Sequence, residues 1–207
     1  MRKTVLAAAA AASAVALSSA PASAGEIITG VYAHDVTFLG EAVGLGAAGK
    51  EGGANVHLGW RSDRLDSWPE WMRGPRAHVF ISANTEGDTS YVAAGLSWHI
   101  PISDDGRWYV QPGMGLAVHD GYDLFPDFAE PGITPEEFDR RVALRSERIE
   151  FGSQILFEPE IALGFRLTDN ASVELSYVHL SNGQIFHQGK NEGLDEVGVR
   201  FTYRFGQ

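Results

Sequence analysis

Apolar and polar residues alternate along eight segments of this chain, which is the pattern of β-strands whose successive side chains face opposite sides of a sheet. The clearest segment opposes Ile155, Phe157 and Ile161 to Glu158 and Glu160. Eight such segments along one chain predict an all-β protein. The segments are Ile27–Val36, Asn55–Trp60, Ala77–Asn84, Tyr91–Ile100, Trp108–His119, Gln154–Leu167, Ala171–Tyr177 and Glu196–Phe205.

Two architectures fit this pattern. A soluble sandwich or lipocalin-like barrel would bury the apolar face, whereas a membrane barrel turns it to lipid and fills a narrow lumen with polar side chains. The even strand count, the aromatic residues near strand ends, and the charges and glycines on the polar face favour the eight-stranded antiparallel transmembrane β-barrel. Six charged residues are then expected to pair inside the lumen: Glu158, Glu160, Arg166, Glu174, Arg200 and Arg204.

Histidines recur on the expected lumen face, one in each of the first five strands. We interpret them as polar filling rather than a metal site, because the sequence does not place them at one depth. They are His34, His57, His78, His99 and His119.

The longest connection, Asp120–Glu150, contains a predicted helix. Thr134 can cap its N-terminus, Pro135 suits the first helical position, and Glu136 and Glu137 suit the first turn. We expect this short helix to lie in one long extracellular loop.

The N-terminus predicts export. Arg2 and Lys3 precede the apolar run Val5–Leu17, and the small residues Ala22–Ala24 form a cleavage site, so we expect residues 1–24 to be a signal peptide and 25–207 the barrel. A retained N-terminal anchor is the alternative.

The chain has no cysteine, and residues 1–24 carry two of its 16 basic and none of its 27 acidic residues, which leaves a net charge of −13 on 25–207. That charge argues against nucleic-acid binding.

Candidate chemistry lies in the last hairpin, where His179 and Ser181 share the apolar side of their strand with Tyr177. A serine becomes a nucleophile when a base takes its proton, and a third group must orient that base. By parity Asp195 faces the same side and could orient His179 across the ladder, with Glu192 and Glu196 as weaker candidates. Alternatively, these polar residues mark only the membrane boundary.

The segment "HLSNG" (His179–Gly183), followed by "NEGLD" (Asn191–Asp195), resembles the signature of the lipid A 3-O-deacylase family of outer-membrane enzymes. The resemblance implies an eight-stranded barrel with an outward-facing site that hydrolyses the acyl ester at position 3 of lipid A. It makes His179 the base, Ser181 the nucleophile and Asp195 the orienting acid, and it makes Asn182 and Gly183 oxyanion-hole candidates. The chain departs from the family in having Asp where Glu is typical and in a loop about two residues longer than usual.

The sequence thus favours a cofactor-independent and metal-independent serine esterase of the Gram-negative outer membrane whose partners are lipid A and membrane lipid; a homodimer is left open. Two rivals stay open as well. One is a non-enzymatic structural or adhesive barrel, and the other is a phospholipid-acting esterase or acyltransferase.

Overall fold

The structure is a computed structural model that describes residues 25–37 and 49–206. The predicted signal peptide lies outside the described residues. The elements are β1 Gly25–Ala33, β2 Ala54–Ser62, a 3-10 helix Glu70–Met72, β3 Arg76–Asn84, β4 Tyr91–Ser97, β5 Ile100–Pro101, β6 Trp108–His119, α1 Pro135–Glu147, β7 Ile155–Arg166, β8 Ala171–Leu180 and β9 Leu194–Phe205.

The strands form a closed antiparallel barrel. Apart from β4 and β5, each strand pairs with its neighbours in the chain, and β1 pairs with β9, so the described strands close on themselves. The two-residue β5 pairs only with the beginning of β6, while β4 pairs with the rest of β6. Because β4 and β5 together occupy one position around the barrel, the architecture is the predicted barrel of eight strands.

The predicted strand Tyr91–Ile100 is interrupted at Trp98 and His99. The backbone N–H of Trp98 donates to the carbonyl of Pro112 over 2.9 Å, but proline has no N–H with which to return the bond. The indole of Trp98 instead donates to the carbonyl of Met72 at 2.7 Å. A proline in the neighbouring strand therefore accounts for the break.

The two faces of the sheet are inverted relative to a soluble protein. Along β8 the inward residues Ser176, Val178 and Leu180 are at most 1% exposed, whereas the outward Leu175 is 56% exposed. Exposed apolar side chains continue around the outside of the barrel, which is the arrangement of a membrane barrel and excludes the soluble alternatives. Outward apolar residues include Ile27, Val31, Leu58, Met114, Leu116, Ile161, Leu163, Val199 and Phe201.

Ion pairs fill the lumen. Arg200 binds both Glu174 and Glu160, and Arg61 bridges Glu174 and Glu26 at 3.3 and 3.1 Å. At one barrel end Arg204 also binds Glu26, at 2.8 Å. Buried charges are tolerated only when paired in this way, so the predicted lumen network is confirmed for these residues.

Two charged residues depart from that expectation. Arg166 is the last residue of β7 at the half-exposed barrel mouth, and within 25–37 and 49–206 it makes no ion pair. Because its side chain is partly exposed rather than buried, Arg166 does not need an acidic partner to offset desolvation. Glu158 is fully buried and lies beside the imidazole of His78, with Nε2 3.4 Å from Oε2.

Four of the five histidines are buried inside the barrel as expected, namely His34, His57, His78 and His119. His99 lies in the break between β4 and β5, is partly exposed and packs on Tyr109 with ring centroids 4.2 Å apart. The interruption at Pro112 thus moves this one histidine to the barrel mouth.

The predicted helix is confirmed as α1, where the Thr134 hydroxyl accepts a hydrogen bond from the Glu137 N–H at 3.2 Å. It lies at the barrel end that carries the long connections, which is the extracellular end in barrels of this type. Among the described helices none is both long and apolar enough to cross a membrane.

Candidate active site

His179 and Asp195 are directly opposed residues of β8 and β9. The His179 Nδ1–H donates to Asp195 Oδ1 over 2.6 Å. Their side chains are 33% and 25% exposed and lie on the outer wall with Val199, because both continue the outward parity of their strands. The cross-strand pair predicted from parity is confirmed.

Ser181 extends the same face by two residues. An isolated bridge pairs it with Phe157, in which Phe157 N–H donates to Ser181 O at 2.7 Å and Ser181 N–H donates to Phe157 O at 3.2 Å. This bridge keeps the β7–β8 register, so Ser181 points to the same side as His179. Because Nδ1 of His179 is committed to Asp195, Nε2 is the ring nitrogen left for another partner.

Among the hydrogen bonds of the described residues there is none between His179 and Ser181. Such contacts are often long before substrate binds and tighten in the complex. The structure therefore brings together all three sequence-predicted residues on one wall, with the acid–base contact already made.

Tyr177 is a member of the site that the sequence did not identify. Its hydroxyl donates to Asp195 Oδ1 at 2.7 Å, the same oxygen that binds His179. Tyr177 lies two residues before His179 on the outward face, and diagonal cross-strand neighbours are within reach of an aromatic side chain. That i−2 spacing was the signal available in the sequence.

Gly193 makes room for the imidazole ring of His179. A Cβ at this position would lie 2.8 Å from Cε1 of His179 and 3.6 Å from Nε2. Only a residue without a side chain allows the imidazole this position, which explains a glycine two residues before Asp195.

The alternative acids do not contact His179. Glu196 points into the lumen, where it accepts hydrogen bonds from His57 Nε2 at 2.9 Å and from the Tyr91 hydroxyl at 2.7 Å. Glu192 instead binds Lys50 Nζ at 2.7 Å and the backbone N–H of Glu150 at 2.9 Å. The structure thus leaves Asp195 as the acid beside His179.

Asn182 has a different role from the one expected. It is fully buried, and its Nδ2 donates to the carbonyls of Phe151 and Lys190 at 2.7 Å each. Its backbone N–H donates to Asn191 Oδ1 at 2.8 Å. With these donors committed, Asn182 anchors the two extracellular loops rather than an oxyanion.

Gly183 remains an oxyanion-hole candidate. Its φ of 61° places it in the left-handed region that favours glycine, and a Cβ there would lie 3.0 Å from the Phe157 ring. Within the described residues its backbone N–H has no hydrogen-bond partner. The adjacent Phe157 stacks on Phe186 with centroids 4.8 Å apart, so aromatic rings flank Ser181.

An apolar groove of about 320 Å³ lies on the outer wall and reaches Tyr177, whereas His179, Ser181 and Asp195 are not among its lining residues. Tyr177 contributes both to the groove and to the hydrogen bonding of Asp195. The groove is lined by Val110, Ile161, Ala162, Leu163, Leu175, Ser176, Tyr177 and Val197.

The fold and the site together define an eight-stranded membrane barrel that carries a serine, a histidine and an aspartate on its lipid-facing wall. The family model "Lipid A 3-O-deacylase (PagL)" matches residues 52–204, and the chain belongs to that family. The match confirms the family that the motif in the last hairpin suggested.

Two of the proteins similar to this chain are PagL proteins. The lipid A deacylase PagL of Bordetella bronchiseptica (strain ATCC BAA-588 / NCTC 13252 / RB50) is 31% identical over 99 residues, which is 48% of this chain and 42% of that protein. The aligned part is thus less than half of that relative. The crystal structure of the outer membrane enzyme PagL superposes with a TM-score of 0.55 over 86% of this chain and 98% of the other, at 15% identity, and supports the fold.

Proposed function

We propose that this protein is a serine esterase of the Gram-negative outer membrane that hydrolyses the 3-O-linked acyl chain of lipid A. The observation that carries the proposal is the His179–Asp195 contact of 2.6 Å on the lipid-facing wall, with Ser181 on the same face. Family membership over residues 52–204 supplies the reaction class.

The geometry suits acyl transfer through an enzyme ester. His179 Nε2 takes the proton of Ser181 as Oγ attacks the ester carbonyl, and Asp195 stabilises the imidazolium that forms. The tetrahedral intermediate then breaks its bond to the sugar oxygen, which takes the proton from His179. Water activated by His179 finally releases the fatty acid from Ser181, and the chemistry requires no cofactor.

Negative charge on the carbonyl oxygen needs a hydrogen-bond donor. The free N–H of Gly183 is one candidate because it follows the nucleophile by two residues in a left-handed turn. Asn191 is a second, since its Oδ1 is held by Asn182 N–H and its amide nitrogen is left to donate.

The position of the site fits a lipid substrate. Acyl chains of lipid A already lie in the bilayer, and the outward groove beside Tyr177 offers an apolar wall for one of them. The ester therefore does not need to leave the membrane to reach Ser181.

Mass spectrometry of lipid A from cells that express the wild type, Ser181→Ala or Asp195→Ala tests the proposal. Wild type should remove one hydroxyacyl chain, Ser181→Ala should remove none, and Asp195→Ala should remove much less. The exposed Ser67→Ala, at the opposite barrel end, is the matched control and should behave as wild type.

Other outcomes would decide for the rivals. Fatty acid released from phospholipid would indicate a phospholipase, and a chain moved to another lipid would indicate an acyltransferase. Identical lipid profiles in wild type and empty vector would favour a non-enzymatic barrel.

We also propose that residues 1–24 are removed on export. Gly25 is the first residue of β1 and pairs with both Ser62 and Phe205, so cleavage before Gly25 would leave the whole of β1 in the barrel. N-terminal sequencing of protein extracted from outer membranes should begin at Gly25.

The homodimer stays a prediction, which crosslinking in the membrane would test.

A further inference from the structure

We propose that Tyr177 is a positioning residue of the esterase site, whose hydroxyl holds the Asp195 carboxylate in the orientation that His179 requires. The inference rests on the proposed function and adds a fourth residue to the three that the sequence motif contains. It follows from one shared atom: Asp195 Oδ1 accepts from His179 Nδ1–H at 2.6 Å and from the Tyr177 hydroxyl at 2.7 Å.

Two donors on one oxygen fix the carboxylate more tightly than either alone. Within the described residues His179 and Tyr177 are the side chains that bind it, and the Asp195 backbone is held separately by Val36 N–H, which donates to its carbonyl at 2.9 Å. Charge-assisted hydrogen bonds are the stronger ones, so removal of either donor should be measurable.

The short side chain of Asp195 makes this contact necessary. Aspartate keeps its carboxylate close to the β9 backbone, on a wall where its side chain is 25% exposed. Tyr177 reaches that carboxylate diagonally from β8, where its own cross-strand partner is Val197. A long aromatic side chain thus compensates for an acid one methylene shorter than the glutamate typical of the family.

The ring of Tyr177 has a second neighbour, because it also lines the apolar groove with Leu175 and Val197. One side chain therefore contacts both the proposed acyl-chain groove and the catalytic acid. Removal of the hydroxyl alone should leave groove binding intact and change only the orientation of the acid.

The test is steady-state kinetics of purified protein in detergent with lipopolysaccharide micelles as substrate. Tyr177→Phe should lower kcat about tenfold and change KM less than twofold. The ascending limb of the pH–rate profile should move to higher pH in this variant. A carboxylate with one donor fewer stabilises the imidazolium of His179 more strongly than in wild type, and the histidine must be neutral to act as the base.

A control and a double variant sharpen the result. The control is Tyr203→Phe, which removes the hydroxyl of a half-exposed tyrosine on the outer face of β9. Its kcat should equal that of wild type. In an Asp195→Ala background, Tyr177→Phe should have no further effect on kcat, because the hydroxyl acts through that carboxylate.

The failure of this inference is distinct from failure of the proposed function. If wild type releases no acyl chain, the proposed function falls. If wild type is active and Tyr177→Phe keeps its kcat and pH profile, or lowers kcat equally with and without Asp195, the positioning role is overturned. Heat-modifiable migration in gels shows whether each variant has folded as a barrel.

Discussion

His179 and Asp195 are opposed residues of one β-ladder, and the N–H of the histidine reaches the aspartate carboxylate over 2.6 Å. A ladder fixes the distance between opposed Cβ atoms at about 4.5–5.5 Å, so the acid–base pair is set by strand register rather than by loop conformation. Rigid strands therefore pre-organise the part of the site whose geometry matters most to proton transfer.

Asp195→Asn should lower kcat by about 10²–10⁴-fold with little change in KM. The amide keeps the shape of the side chain but loses the charge that orients His179 and stabilises its imidazolium. Release of fatty acid from lipopolysaccharide by the purified variant measures the effect.

Asp105→Asn is the matched control for this substitution. Asp105 lies in the exposed turn between β5 and β6 at the other end of the barrel, where it accepts a hydrogen bond from Ser103 at 2.6 Å. Its activity should equal that of wild type. An Asp195→Asn variant with wild-type kcat would contradict the role of the acid.

Strand parity let the sequence predict most of this architecture. Alternation predicted the strand Trp108–His119 with its observed bounds, and it predicted the outward side of His179 and the inward side of Glu196. The Thr134 cap likewise follows from local chemistry. These features depend on nearest neighbours in the chain, which is why pattern alone predicts them.

Contacts between distant segments could not be predicted in the same way. The commitment of Asn182 to the carbonyls of Phe151 and Lys190 depends on how two long loops pack. The break at Trp98 depends on Pro112 of another strand, through a register that the sequence does not specify. Among the described residues Arg166 has no ion-pair partner because it is the last residue of β7, and its depth in the barrel depends on a register that the sequence does not specify.

Gly193→Ala should reduce activity at least tenfold while the barrel still folds. The added Cβ would lie 2.8 Å from Cε1 of His179, so the imidazole must turn away from Ser181 or the β9 entrance must shift. The measurement is kcat for lipopolysaccharide, together with heat-modifiable migration as a fold check.

Gly52→Ala serves as the control for this change. A Cβ at Gly52 meets only Glu86 Oε2, at the ordinary distance of 3.4 Å. If Gly193→Ala were as active as Gly52→Ala, the close approach of Gly193 to the ring would have no functional consequence.

Asn182→Asp should loosen the loop between β8 and β9. Its buried amide donates to two carbonyls, and a carboxylate at that position would face both without a hydrogen to donate, at a cost of about 1–3 kcal/mol. Limited proteolysis should cleave residues 183–190 faster in the variant than in wild type.

The exposed turn residue Asn170 provides the comparison, since Asn170→Asp changes the same chemical group where water can solvate it. It should leave the cleavage rate unchanged. Equal protection of the loop in Asn182→Asp and wild type would show that these hydrogen bonds do not hold the loop.

His34 makes the stability of the extracellular end depend on pH. Its side chain is fully buried, with Nδ1 3.2 Å from Glu196 and Nε2 3.1 Å from Glu51. Burial by itself disfavours the charged ring, but hydrogen bonds to these two carboxylates outweigh burial and raise the pKa of His34 to about 9. Because the pKa is raised on folding, the stabilisation is complete below the unfolded value of about 6.5 and is lost as pH rises through about 9.

Wild type should therefore lose about 2–3 kcal/mol of unfolding free energy between pH 6.5 and 9.5 that His34→Gln does not lose. Urea unfolding in detergent, followed by tryptophan fluorescence at several pH values, measures the difference. His187→Gln, in the β8–β9 loop and away from this cluster, should keep the wild-type slope. The same pH slope in His34→Gln as in wild type would show that the imidazolium between Glu51 and Glu196 does not contribute to stability, and Glu196 would then be held by its other partners, which include His57 and Tyr91.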